Sequence, residues 1–313
     1  MKCLVTGATG YIGRHLCRQL LARGDSITAL SKTGAPLPDG TPTTAIDLAR
    51  TMPEQVLFEG VAVEFHLAGI AHQNAPASAY REVNELATMQ LARMSAAAGV
   101  GGFVFLSSVK AMGPATDARE RSEQDCSAPV DPYGWSKWSA ENALQAEFAR
   151  GPMGVVILRP ALVYGPVPKG NLALLARAVR AGLPRPPDLG ARSMVSVADL
   201  VDLLCLVARE PQPGVRTFIA SDGERYSTRF VYDQLKLAQG RPVGRAWLPA
   251  AGWRLAAALL DLRRGRQGET TFDKLFGTEL YSNRAVLAAT PWRPRLRLQD
   301  VVPQMMSPGG DGG

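Results

Sequence analysis

The chain of 313 residues predicts an α/β fold, a doubly wound parallel sheet with a smaller C-terminal lobe. Three observations predict it. A glycine turn joins the first strand to the first helix, short apolar strands alternate with helical runs as far as Pro160, and each strand ends on a glycine or polar residue. Strict alternation implies right-handed crossovers and helices on both faces of the sheet. Ligands in such sheets gather beyond the carboxyl ends of the strands.

The first element is Leu4-Val5-Thr6-Gly7-Ala8-Thr9-Gly10-Tyr11-Ile12-Gly13, a strand entering a glycine loop that a helix over 11–23 leaves. The loop N–H groups and the positive end of the helix dipole converge where a phosphate would sit. Gly7 permits the tight turn, Gly10 lets backbone approach a pyrophosphate, and Gly13 lets helix and strand pack. The spacing is one residue longer in its first gap than the usual dinucleotide fingerprint, and such turns also serve as plain connections.

The second strand, 26–30, runs into Ser31-Lys32-Thr33, where dinucleotide folds carry an acidic residue for the adenosine ribose. A carboxylate ~4 Å from a 2′-phosphate would repel each unit of its charge by about 4 kcal/mol at an effective dielectric of 20. Lys and Ser in its place favour NADP(H), with NAD(H) as the alternative. A third strand, 43–46, ends in Asp47-Leu48, and a fourth, 61–67, runs into Ala68-Gly69. Positions 78–98 have helical spacing, and 102–106 is a strand ending in Ser107-Ser108. A helix over 133–150 and a strand over 155–158 lead to Arg159-Pro160. Helices over 171–181, 197–208 and 227–238 surround a last strand at 215–220. Residues 1–165 read as the dinucleotide-binding domain and 166–303 as mainly the substrate lobe, interleaved with the last strands. Residues 304–313 read as a flexible tail, disordered from Ser307 on.

An apolar fraction of 46% and a charged fraction of 20% are those of a soluble globular chain and argue against disorder. Cys3, Cys17, Cys126 and Cys205 form no C-x-x-C pair, and His15, His66 and His72 have no metal-like spacing. No metal is expected, and buried free thiols point to the reducing cytoplasm. No secretory signal precedes the glycine loop, and no apolar run spans a bilayer. Of the net +7, residues 241–300 carry +6, from 10 Arg and 1 Lys against 5 acids. Without aromatic interleaving this is not a nucleic-acid reader, but the amphipathic run 253–262 allows a peripheral contact with an acidic membrane.

Tyr133-Gly134-Trp135-Ser136-Lys137 sets Tyr and Lys four apart on one helical face. A tyrosine with a pKa of about 10 becomes an acid–base near neutrality for about 4 kcal/mol. One ammonium ~4 Å away supplies about that at a dielectric near 20. Either motif alone also has an ordinary structural use.

Together the motifs are those of a known family. The glycine loop, His66-Leu67-Ala68-Gly69, Asn84, Phe103 to Ser108, Tyr133-x-x-x-Lys137 and Leu158-Arg159-Pro160-x-x-Val163-Tyr164-Gly165-Pro166 stand in its order. From Lys2 to about Pro303 the chain resembles the extended short-chain dehydrogenase/reductase family, in its nucleotide-sugar epimerase, dehydratase and 4-ketoreductase branch. The resemblance implies a Rossmann fold and catalytic roles for Ser108, Tyr133 and Lys137. It implies cofactor contacts from Gly7, Thr9, Gly10, Tyr11, Ile12, Ser31, Lys32, Asp47, Leu48, Leu67, Ala68, Gly69, Ser107, Tyr133, Lys137, Pro160 and Val163. Ser108, Lys110, Asn171 and Arg192 are implied to bind a nucleotide sugar, Arg192 at the diphosphate, where its planar fork suits phosphate oxygens. A homodimer through the helices near 78–98 and 133–150 is implied as well.

Two departures narrow the reaction. Val109 and Lys110 stand where dehydratases carry an acidic pair, and Val109-Lys110-Ala111-Met112-Gly113 lacks the Val-Tyr-Gly ending of many epimerases. The first argues against a 4,6-dehydratase and the second does not oppose a reductase, while Ser31-Lys32 favours an NADP(H)-dependent reductase of a nucleotide-linked 4-keto sugar, a UDP-4-keto-6-deoxy-hexose, with hydride transfer at C4. The alternatives are a 4-epimerase of a UDP-hexose or UDP-N-acetylhexosamine with bound NAD, and a non-catalytic NADP-binding regulator.

Overall fold

The structure is a computed structural model describing residues 1–71, 75–167, 170–263 and 270–305. The readings of His72 and of the tail from Ser307 lie outside the described residues. In chain order, β1 (Lys2–Thr6), α1 (Tyr11–Ala22), β2 (Ser26–Ser31) and β3 (Thr44–Ala45) are followed by β4 (Val63–His66). Next, α2 (Ala77–Tyr80) continues through a π-helical stretch, Arg81–Leu86, into α3 (Ala87–Ala97), which leads to β5 (Gly102–Leu106). A 3₁₀ turn (Val109–Met112) and β6 (Glu120–Arg121) precede α4 (Pro132–Phe148), β7 (Gly154–Pro160) and β8 (Leu162–Tyr164). The remaining elements are α5 (Gly170–Arg180), β9 (Met194–Ser196), α6 (Val197–Val207), β10 (Gly214–Ala220) and α7 (Thr228–Leu237). The chain then forms α8 (Ala250–Arg263), α9 (Thr271–Phe276), β11 (Leu280–Tyr281), α10 (Arg284–Ala289) and α11 (Leu298–Met305), so residues 304 and 305 belong to a helix.

Seven parallel strands lie in the order β3-β2-β1-β4-β5-β7-β10. The order reverses between β1 and β4, the crevice where such sheets take ligands. Side chains alternate along each strand. Cys3 and Val5 face α1 and α6 through Leu16, Leu20, Leu200 and Leu203, whereas Leu4, Phe103 and Ile157 face α3 and α4 through Leu91 and Leu144. A separate apolar cluster joins α5, α7 and α11 through Leu172, Leu235 and Val301. Two small parallel pairs that periodicity does not reveal, β8 with β9 and β6 with β11, tie this lobe to the sheet. The strand expected over 43–46 shrinks to two exposed residues at the sheet edge.

Glu64 and His66, two apart on β4 and therefore on one face, meet Ser95 and Thr88 of α3, seven apart and also on one face. This pairing of periods fixes the helix on the strand. Burial pushes the Glu64 carboxyl up to about 8 from an ordinary 4.5. Its folded-state value is raised, so the unfolded chain releases that proton first, and stability is lost as pH climbs from 4.5 towards 8. Glu64→Gln stays neutral throughout. Its stability relative to wild type should therefore rise by about 1.4 kcal/mol per pH unit across that window, read from urea unfolding at several pH values.

Candidate active site

The glycine loop lies at the carboxyl end of β1. Gly7 holds φ +68°, and a Cβ there would lie 2.7 Å from the backbone nitrogen of Ala68. A Cβ on Gly13 would collide with the Gly7 carbonyl, so helix and loop touch through bare backbone. Gly10 caps α1 without a side-chain hydrogen bond, and the first turn holds no acid. Its leading N–H groups face outward for an anion. Thr9 is exposed on the same loop, and Ile12 packs into the core beneath it. These features fit the pyrophosphate of a dinucleotide.

Ser31 and Lys32 do not present themselves as the sequence suggests. Ser31 is buried, and its hydroxyl is engaged by the Thr43 hydroxyl at 2.7 Å and the Gly34 N–H at 2.9 Å. The exposed Lys32 ammonium lies 3.5 Å from the Asp47 carboxylate, so the cation expected to meet a 2′-phosphate already has a counter-ion. Leu48 is buried beside them in the core.

The turn after β4 is held from below. Thr6 Oγ1 accepts from the Ala68 N–H and contacts His66 Nδ1 at 2.7 Å; His66 Nε2 lies 2.9 Å from Thr88 Oγ1. The Thr88 hydroxyl donates to the Asn84 carbonyl, so it accepts from Nε2–H, and Thr6 donates to Nδ1. Burial, aided by the Lys137 charge, pushes His66 down to about 3. It is a neutral structural bridge at ordinary pH. Leu67 packs on the α1 side of the sheet, Ala68 on the other, and Gly69 is exposed. Asn84, inside the π-helical stretch, bonds both backbone groups of Ile70 and donates to Ser136 Oγ, which donates to the Tyr133 carbonyl. The turn after β4 is thereby coupled to the start of α4.

Asp131 caps α4 by accepting from the Gly134 N–H at 2.8 Å, with Pro132 as first helical residue. Gly134 packs on the Lys110 carbonyl, where a Cβ would lie 2.6 Å away, and this draws Tyr133 to Ser108. The two side chains share a hydrogen bond. Ser108 Oγ also accepts from the Lys110 N–H at 3.2 Å. Lys137, almost fully buried, donates to the Leu106 carbonyl at 2.9 Å and lies 4.5 Å from the centre of the Phe105 ring. Burial lowers it to about 8. Tyr133 moves opposite to the sequence expectation: burial outweighs the Ser108 bond and pushes its phenol up to about 12. Lys137 spends its closest contact on a carbonyl, and the chain alone does not acidify the tyrosine.

Ser107 is a second correction. Its hydroxyl donates to Glu141, its N–H to the Leu158 carbonyl, and the side chain is buried, so its hydroxyl proton is not offered to a cofactor. Glu141 is gripped by Arg159 at 2.6 Å, and Arg159 also donates to the Glu123 carbonyl. Glu141 stands four residues beyond Lys137, on the Tyr133 face of α4, so helical spacing offered a signal for it. Pro160 closes β7 buried beside Ala220, and Val163 is half-buried in β8.

On the substrate side Lys110 and Arg192 meet at one carboxylate that sequence reasoning missed. Lys110 Nζ lies 2.9 Å from Glu279 Oε1 and Arg192 Nη1 3.2 Å from Oε2. The Lys110 and Arg192 charges hold the half-buried Glu279 below its ordinary value despite desolvation. Glu279 is 169 residues from Lys110, and no local pattern foretells the pairing. Arg192 also donates to the Asp273 carbonyl, while its buried Nε has no partner among the described residues. Asn171 is exposed as the second residue of α5. Among the described residues no cluster of His, Cys, Asp and Glu could hold a metal ion, and no helix is long and apolar enough to cross a membrane.

Comparison with known proteins agrees with this geometry. The family described as NAD dependent epimerase/dehydratase matches residues 3–220. A UDP-glucose 4-epimerase of Vibrio cholerae is 32% identical over 95% of this chain and 92% of its own length. A 2-alkyl-3-oxoalkanoate reductase of Stenotrophomonas maltophilia is 29% identical over 77% of each. The solved structure "MoeE5 in complex with UDP-glucose and NAD" superposes with a TM-score of 0.77 at 26% identity, over 97% of both chains. On the strength of the glycine cradle, the switch-point crevice and these matches, the chain is an enzyme of the NAD-dependent epimerase/dehydratase family, within the extended short-chain dehydrogenases/reductases.

Proposed function

We propose that the chain is a UDP-hexose 4-epimerase that keeps one NAD through each turnover. The likeness to a UDP-glucose 4-epimerase over nearly the whole chain carries this over the NADP(H)-dependent reductase, and the Lys32–Asp47 pair adds to it. A 2′-phosphate would have to take Lys32 from a carboxylate and then lie beside that carboxylate, whereas a 2′-hydroxyl faces no such repulsion.

In this reading Tyr133 Oη takes the proton of the sugar 4-hydroxyl and later returns it, while Ser108 hydrogen-bonds the same oxygen. A phenol resting near 12 serves this purpose only next to positive charge. Lys137, at about 8, is charged at neutral pH and is the chain's own source. When bound, NAD supplies the hydride acceptor and a second positive charge. The Gly7–Gly10 loop and α1 N-terminus hold its pyrophosphate, with Asp47, Leu48 and the Leu67-Ala68-Gly69 turn along the adenosine half. Lys110 and Arg192, two cations that share the one Glu279 carboxylate, take the substrate diphosphate, with Asn171 at the mouth.

Mass analysis of nucleotides released from freshly purified protein, paired with UDP-galactose turnover, tests the proposal. Expected are co-purified NAD and conversion to UDP-glucose without added cofactor. A protein that arrives empty and reduces a 4-keto sugar only with added NADPH is the reductase instead.

A further inference from the structure

Helix α8 turns only one side to the protein. Trp253 and Ala257 are buried, with Trp253 edge-on to Phe276 of α9 at 5.7 Å. Leu255, Leu259 and Leu262 are exposed at 64%, 53% and 79%, and Trp247, just before the helix, at 72%. At 3.6 residues per turn the three leucines fall within about 60° of arc, directly opposite Trp253 and Ala257. Arg254 and Arg263, both exposed, lie roughly a quarter-turn to either side of that stripe. The one acid of the helix, Asp261, accepts from the N–H and hydroxyl of Thr271. From Arg241 to Arg266 the sequence carries six Arg against Asp261 alone.

We propose that this face of α8 is a docking surface for an anionic phospholipid bilayer. An apolar stripe between two arginines is the arrangement of a helix lying in the plane of a lipid interface, its leucines among the acyl chains and its guanidinium groups among the phosphates. Charge selects this occupant over a second copy of the chain. A two-fold contact through the stripe would bring each arginine row near its own copy. The surface also belongs to the substrate lobe, because Arg192 donates to the Asp273 carbonyl in α9, packed under α8. Docking would place the sugar-nucleotide site next to the membrane.

Co-sedimentation of the full chain with vesicles of phosphatidylcholine alone, and of phosphatidylcholine mixed with phosphatidylglycerol, tests this without reference to the enzyme's reaction. The chain is expected to pellet with the anionic vesicles at low salt, to be released by high salt, and to ignore the neutral ones. Arg254→Gln and Arg263→Gln should each weaken binding about fivefold. The triple variant Leu255→Asp, Leu259→Asp, Leu262→Asp should stay in the supernatant with an unchanged circular dichroism spectrum and melting midpoint. Failure of the wild type to bind anionic vesicles overturns the proposal. So does binding that survives the triple variant, and so does a dimer of the wild type that the same variant dissociates while vesicles remain bare.

Discussion

Tyr133→Phe should lower kcat about 10³-fold, the range of a positioned general acid–base, with KM for the UDP-sugar and the content of bound NAD little changed. The substitution keeps the ring, which packs against Tyr80 at 6.3 Å between centres, and deletes only the hydroxyl that meets Ser108. One lost hydrogen bond costs about 1 kcal/mol, so the variant should fold and melt close to wild type. That separates chemistry from binding. The measurement is epimerisation rate at saturating substrate, beside nucleotide content and melting midpoint. A rate within a few-fold of wild type would sink the acid–base assignment and favour a protein that binds the dinucleotide without using it.

The elements that place this tyrosine were legible because they are local. A glycine turn, apolar runs of strand length and Asp131-Pro132 ahead of a helical run are written within a few residues, and β5 and α6 fall within one residue of the expected bounds. A parallel sheet with helices on both faces followed from the alternation; the order of its seven strands did not. Less legible was everything that depends on partners distant in sequence. Ser107 looks like a free hydroxyl until Glu141 is brought to it, and Lys32 looks like a free cation until the end of β3 delivers Asp47. Glu279 left no trace, since it matters only where β11 returns to Lys110 and Arg192. The tyrosine's upward displacement was missed for a related reason: spacing on a helix gives the distance to a lysine but not the burial that opposes it. Ser107, Lys32 and Tyr133 were singled out without the partners and burial that the fold gives them, and Glu279 was not singled out at all.

The same distinction sets the expected loss for Gly7→Ala. Two costs act together at this position. An alanine at φ +68° pays about 1–2 kcal/mol for left-handed backbone. Its Cβ would also press on Ala68 N at 2.7 Å and on Leu67 C at 2.9 Å, atoms of the turn after β4. That turn cannot simply yield, because the Ala68 N–H is tied to Thr6 Oγ1 and thence to the buried His66. The strain must pass into the loop proposed to hold the pyrophosphate. NAD affinity should fall about 100-fold, equivalent to ~3 kcal/mol, and the melting midpoint should drop by several degrees. Gly40→Ala is the control: its φ is +86°, yet a Cβ there meets nothing within 4 Å among the described residues. It should lose the left-handed cost alone and keep its affinity for NAD, as read by titration of stripped protein. Equal damage at both positions would mean that backbone strain suffices, and that close approach of the loop to the β4 turn has no part in holding the dinucleotide.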